Sequence, residues 1–232
     1  MISLRDMGRV FFKYLPGEKL AFKVYQEILN IWTSKRILRQ GYYDVKYSGN
    51  NSIEFEIWSP VNGPMERKKI SGKYESQVAS ELLTRGSGSE ILIVGGGFGY
   101  HAIGIANQAE SITVVEADPE RADRIRNAVD RQNIRNINIY EERIVTGQDL
   151  VDFLPANIVV VDIEGYEDEV LEIEPQHLHK ADCWIVEIHE HGILGPDRYA
   201  DGENISNRFE RAGFNVDELS RRKEGNYHLI CH

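Results

Sequence analysis

Two cysteines are too few to staple a chain of 232 residues, and Cys183 and Cys231 each sit alone in an apolar run without metal-ligand spacing. Neither a disulfide framework nor a thiolate metal centre is expected, and buried free thiols suit a reducing compartment. No apolar run approaches the ~18 residues that a membrane span requires. Residues 1–14 carry charges where a secretory signal would need an apolar stretch. A cytoplasmic protein with no membrane partner is therefore expected. Proline is scarce, at 7 residues, and hydrophobic residues make up 41% of the chain, so neither disorder nor a fibrous repeat is indicated. Positive charge is also in deficit: 27 Lys and Arg against 37 Asp and Glu leave a net charge of −10. Such a surface repels a phosphate backbone over most of its area, so nucleic acid is not an expected partner. The short basic run Arg67, Lys68, Lys69 and Lys73 reads as a solvated face.

What is present changes character near residue 75. Residues 18–38 place Leu20, Phe22, Val24, Tyr25, Ile28, Leu29 and Trp32 at helical spacing. Residues 42–47 and 53–58 are extended-type runs separated by Ser48, Gly49, Asn50 and Asn51, the pattern of a β-hairpin. Residues 1–72 are accordingly expected to form a helix and β-hairpin cap, with the amphipathic helix as a candidate homodimer interface. From there, residues 73–232 alternate helical stretches with short apolar runs at 90–94, 111–116, 137–140, 157–162 and 183–188. Alternation of this kind demands a parallel sheet covered on both faces. Residues 214–219 and 226–231 are separated by only a short polar turn, so they pair as an antiparallel hairpin. The expected fold is α/β, a mostly parallel seven-stranded Rossmann-like sheet finished by an antiparallel C-terminal hairpin.

The strand ending at Val94 runs directly into Gly95, Gly96, Gly97, Phe98 and Gly99, with a helix-compatible stretch from Tyr100 onward. Glycines there allow a tight turn and close backbone approach to a ligand, and the new helix offers free N–H groups. Glu116 closes the second strand, 17 positions beyond Gly99, where a carboxylate can accept hydrogen bonds from both ribose hydroxyls of an adenosine. Tyr100 occupies the place where a dinucleotide turn has its third small residue. That departure and the C-terminal hairpin favour S-adenosylmethionine over NAD.

These residues resemble the FkbM family of class I S-adenosylmethionine-dependent methyltransferases over residues 53–190. The resemblance rests on Tyr74-Glu75, on Val94 to Tyr100 followed by Val115-Glu116-Ala117-Asp118-Pro119, and on Asp162-Ile163-Glu164-Gly165-Tyr166-Glu167 with Val170-Leu171 beyond. Ile93 stands where many class I methyltransferases carry an acid, and Gly96 where this family usually has Ala. The resemblance implies O-methylation of a small-molecule or sugar-containing acceptor. The expected cofactor-binding residues are Gly95, Gly97, Gly99, Tyr100, Glu116, Ala117, Glu142 and Asp162.

A second constellation lies on the expected rim. Asp162 and Glu164 stand two residues apart at the end of the fourth strand, and Glu187 and His189 repeat that relation on the fifth. An extended chain directs residues two apart to the same side. Ligands in open parallel sheets bind beyond the strand C-termini, beside the glycine turn. Asp162, Glu164 and His189 are the candidate catalytic residues, with neutral His189 as a general base. Alternatively, Asp162, Glu164, Glu187 and His189 would hold a divalent cation, Mn²⁺ better than Mg²⁺ for a mixed N/O shell. His177, His179 and His191 are expected at the surface.

Other readings predict other residues. An aminopropyltransferase would carry D-x-x-D after the fourth strand, and an amine methyltransferase acting on nucleic acid N/D-P-P-Y/F, where this chain has Asp162-Ile163-Glu164-Gly165. An NAD(P)-dependent enzyme would share the acid at Glu116 but not the spacing of the turn, and a non-catalytic nucleotide-binding or assembly module is supported only by the amphipathic N-terminal stretch.

Overall fold

The computed structural model describes residues 41–47, 53–59, 68–189, 200–221 and 226–232. The amphipathic stretch at 18–38, the dimer interface expected on it, the turn at 48–51, Arg67 and His191 lie outside the described residues.

Strands β1 (Gly41–Tyr47) and β2 (Ile53–Ser59) pair antiparallel, from Gly41 opposite Ser59 to Tyr47 opposite Ile53. The main chain then alternates: α1 (Ser76–Arg85), β3 (Glu90–Val94), α2 (Tyr100–Ile105), β4 (Ser111–Val115), α3 (Pro119–Arg131) and β5 (Ile137–Tyr140). After these come α4 (Gly147–Val151), β6 (Ile158–Val161), α5 (Glu167–Val170), α6 (Pro175–Leu178) and β7 (Cys183–Ile188). The chain closes with α7 (Gly202–Arg211), β8 (Val216–Arg221) and β9 (Tyr227–Cys231). The seven strands of the main sheet lie in the order β5-β4-β3-β6-β7-β9-β8. The first five in that order are mutually parallel, and β9 runs antiparallel to both β7 and β8.

Every residue of β6 and β7 is buried, as expected of central strands covered on both faces. Alternation along β3 sends Ile91 and Ile93 into one core layer and Leu92 and Val94 into the other. Cys183 faces the first layer and Cys231 the second, so the sheet itself separates the two free thiols. Local signals explain the helices. Pro119 opens α3 with its pre-set φ, and the Asp118 side chain accepts the N–H groups of Glu120 and Arg121. Asp201 caps α7 through the Asn204 N–H. Residues 214–219 were expected as a strand, yet β8 begins at Val216 because Phe214 is used in ring contacts with Phe209 and His179.

The β1/β2 hairpin shares the first core layer with the sheet, through Val45, Tyr47, Phe55 and Ile57. Tyr47 lies against Gly104 of α2 so closely that a Cβ at that glycine would be driven into the ring. The Tyr100 hydroxyl donates to the Lys46 carbonyl at 2.7 Å, and Arg131 of α3 pairs with Glu56 of β2. Among the described residues, no helix is long and apolar enough to cross a membrane.

Candidate functional site

Positive φ at Gly95 (89°), Gly97 (56°) and Gly99 (82°) turns the chain between β3 and α2. The need for glycine is strictest at Gly95, where a Cβ would run into the carbonyl oxygen of Asp162 at the end of β6. At Gly96 a Cβ would strike Val114, which explains why this chain has no alanine there. Gly97 is different, because open space surrounds its would-be Cβ. Its backbone N–H donates to Glu116 Oε2 at 2.7 Å, and the Asp118 N–H donates to Oε1 at 2.9 Å. Glu116 is buried at 5% exposure, yet a carboxylate with two such donors keeps further lone pairs for a ligand. A cleft of about 690 Å³ opens beside it, lined among others by Val115, Glu116, Ala117, Glu142, Ile144 and Asp162. That volume is in the range of small-molecule and cofactor sites.

On the other side of the turn lies a smaller pocket of about 60 Å³, which shares Gly95, Gly97 and Asp162 with the cleft. Its wall includes Glu75, Tyr100, His101, Glu187 and His228. Glu75 precedes α1 in the left-handed region at φ 39°. Its carboxylate meets His101 Nε2 at 2.7 Å, while His101 Nδ1 faces the Tyr47 hydroxyl at 2.9 Å. Burial alone would raise the Glu75 carboxyl, but the His101 hydrogen bond and the charges of His101 and His228 outweigh it and bring the pKa to about 2. His228 Nε2 lies 3.4 Å from Glu187 Oε2, and its Nδ1 meets Ser220 Oγ at 3.0 Å.

Asp162, Glu164, Glu187 and His189 do converge. His189 Nε2 lies 3.5 Å from Glu164, 3.7 Å from Asp162 and 3.8 Å from Glu187, all beyond ordinary N–H···O hydrogen-bond length. The route to this convergence differs from the sequence reading. Strand β6 ends at Val161, and Glu164 sits at φ 56° in a bend, so a turn and not strand pleat brings it beside Asp162. Asp162, Glu164 and His189 form a compact group of metal-ligating atoms, whereas Glu187 groups with Glu75 and His228. Burial, followed by the negative charges of Glu187, Glu75, Glu164 and Glu167, pushes the Asp162 carboxyl well above its ordinary value. Burial pulls the His189 imidazole down, but hydrogen bonding and charge from Glu167, then the charges of Glu187 and Glu164, leave it raised. Two of the non-glycine residues at positive φ, Glu75 and Glu164, stand at these pockets, and strained backbone of this kind clusters at functional sites.

Most expected positions thus surround the glycine turn, with exposed Ala117 and Glu142 on the cleft wall. Tyr100 instead lines the smaller pocket, its ring buried and its hydroxyl given to Lys46. His177 is half-buried rather than at the surface, and exposed His179 stacks on Phe214. Sequence reasoning assigned no role to Glu75, His101, Glu167 or His228. Glu75 and Glu167 were visible within motif segments, whereas His101 and His228 carried no local signal.

No family model matches the chain, and no curated protein matches it by sequence. Solved structures do match. A SAM-dependent methyltransferase from Aquifex aeolicus aligns at TM-score 0.50 and 12% identity, covering 68% of this chain and 88% of that one. The precorrin-6y C5,15-methyltransferase of Geobacter metallireducens aligns at TM-score 0.51 and 15% identity, with coverage of 68% and 88%. The yhhF protein of Escherichia coli, described as a candidate methyltransferase, aligns at TM-score 0.56 and 13% identity, covering 82% of this chain and 98% of its own. At such identities the likeness is one of fold: the chain has the mostly parallel seven-stranded sheet and antiparallel C-terminal hairpin of class I methyltransferases.

Proposed function

We propose that this chain is an S-adenosylmethionine-dependent O-methyltransferase acting on a small-molecule or sugar-containing acceptor, as its FkbM-like segments imply. The observation that carries the reading is Glu116, a buried carboxylate held by the Gly97 and Asp118 N–H groups at the mouth of the 690 Å³ cleft. Carboxylates in that place recognise ribose hydroxyls. The open space around Gly97 admits a ligand against the turn. Glu116 would hold the ribose, with Ala117, Glu142 and Ile144 along the base, and Gly95 to Gly99 and Asp162 along the methionine half. When bound, the cofactor supplies an electrophilic methyl group.

The chain's own residues then have two tasks. Methyl transfer from a sulfonium is an in-line displacement, so alignment of the acceptor oxygen matters most. An alcohol must also lose its proton, and His189, which faces Asp162 and Glu164, would take it in this reading. A second reading makes Asp162, Glu164 and His189 ligands of a divalent cation, Mn²⁺ in preference to Mg²⁺, with Glu187 alongside. It is favoured by the 3.5 to 3.8 Å separations, too long for hydrogen bonds and suited to donors surrounding an ion. Residues 1–72 would act as a cap that selects the acceptor, and their helix as a dimer contact. The hairpin supports a cap that reaches the turn, because Trp58 packs on Phe98 at 5.1 Å between ring centroids. We place the enzyme in the cytoplasm, where the buried free thiols would stay reduced.

The test is turnover. Incubation with S-adenosylmethionine and a panel of hydroxylated acceptors, sugars included, should release S-adenosylhomocysteine only when a hydroxyl acceptor is present. Release with amines alone would contradict O-methylation.

A further inference from the structure

His189 has its two ring nitrogens in different surroundings. Nε2 faces Asp162, Glu164 and Glu187, and Nδ1 faces Glu167 Oε1 at 2.7 Å. Glu167 is the first residue of α5, and its side chain is 0% exposed. The turn at Glu164 and Gly165, with φ of 56° and 97°, brings the Gly165 N–H to the same Glu167 oxygen at 3.1 Å. Its other oxygen, Oε2, is buried and has no hydrogen-bond partner among the described residues. A fully buried carboxylate with one oxygen unsatisfied is costly to keep. Glutamine or an apolar residue would fill the space at lower cost, so the fold keeps a carboxyl group here at the expense of stability.

We propose that Glu167 is the positioning residue of the site, fixing His189 with its proton on Nδ1 so that Nε2 is the nitrogen presented to Asp162 and Glu164. Glu167 Oε1 already accepts the Gly165 N–H, and in the same accepting role the 2.7 Å contact has Nδ1 as its donor. In the neutral ring Nε2 then keeps its lone pair, which either role of His189 needs: a base takes a proton there, and a ligand binds an ion there. Outer carboxylates of this kind orient the ring and select its tautomer. The inference deepens the proposed function and rests on it only for what Nε2 does, not for how the ring is held.

The experiment uses the full chain labelled with ring-¹⁵N histidine, with the His189 signals identified by their loss in His189→Gln. Wild type should show His189 protonated at Nδ1. Glu167→Ala should lose that signature and yield a mixture or the Nε2–H form. Glu167→Gln should restore it, because the Gly165 N–H keeps the amide oxygen turned toward Nδ1. A wild-type ring protonated only at Nε2 overturns the proposal, and so does a Glu167→Ala ring with an unchanged signature. Should Glu167→Ala fail to fold, the wild-type spectrum still decides. S-adenosylhomocysteine titrated into the wild-type sample should bind. Absence of binding to wild type would count against the methyltransferase reading and leave the tautomer result standing.

Discussion

Glu116 accepts the backbone N–H of Gly97 at 2.7 Å, so the acid of β4 and the glycine turn after β3 are one structural unit. Replacing Glu116 by Ala removes the ribose acceptor and also leaves the Gly97 and Asp118 N–H groups without it. Cofactor affinity should fall by roughly 1.5–3 kcal/mol, the scale of a charge-assisted hydrogen bond whose partners go unsatisfied. Calorimetric titration of S-adenosylhomocysteine into both proteins measures this, and equal affinities would put the ribose elsewhere.

Gly95 and Gly97 should respond differently to the same substitution. Gly95→Ala forces a Cβ into the Asp162 carbonyl and should cost more than about 3 kcal/mol, because backbone must move. Gly97→Ala meets open space and carries only the left-handed penalty of about 1–2 kcal/mol. Urea unfolding of the two variants gives the ordering, and equal losses would contradict the tight junction of β3 with β6.

Asp162 and Glu75 should have opposite effects on stability. The Asp162 carboxyl is raised in the fold, so its ionisation opposes folding: the cost is absent below pH ~4 and grows as pH rises toward the folded value. A third of the side chain is open to the cleft, at 33%. Asp162→Asn should therefore stabilise by only about 1 kcal/mol at neutral pH, roughly 2–4 °C in Tm, while impairing function. Glu75 is lowered from 4.5 to about 2, so its contribution is present above pH 4.5 and vanishes as pH falls to 2. The stability gap between wild type and Glu75→Gln should shrink from roughly 3 kcal/mol at neutral pH toward zero over that window. Unfolding curves at several pH values check both signs.

Much of this arrangement was legible in the sequence, for identifiable reasons. The strands β3, β6 and β7 are short, predominantly apolar and bounded by turn residues, with Glu90 at one end of β3 and Glu187 near the end of β7 as the exceptions, and central parallel strands leave that pattern whatever surrounds them. Glu116 was legible because its place depends only on one strand and one turn. Glu164 was found for the wrong reason, since strand geometry was assumed where the chain bends. Glu75 and His228 could not be paired in advance. They are 153 positions apart and meet only because β9 is inserted beside β7, a matter of sheet order that no local pattern encodes. The Tyr100 ring, expected near the cofactor, is claimed by the hairpin through Lys46, and long-range packing of that kind is equally silent in the sequence.

The two roles open to His189 diverge under chelation and pH. As a base, His189 is raised above 6.5 by Glu167, Glu187 and Glu164 against the pull of burial. It is protonated and inactive below its folded pKa, so the rate should rise with pH through a limb above 6.5 and survive EDTA. As an ion ligand it gives activity that EDTA abolishes and Mn²⁺ restores. Turnover of an identified acceptor that is unchanged in both His189→Ala and Asp162→Ala would contradict either role.

The most direct test of the central claim is calorimetric titration of the purified protein with S-adenosylmethionine, S-adenosylhomocysteine and NAD. The account predicts dissociation constants on the order of micromolar for the two sulfur compounds, about −8 kcal/mol, and far weaker binding of NAD. Tight NAD binding with no response to either sulfur compound would contradict it.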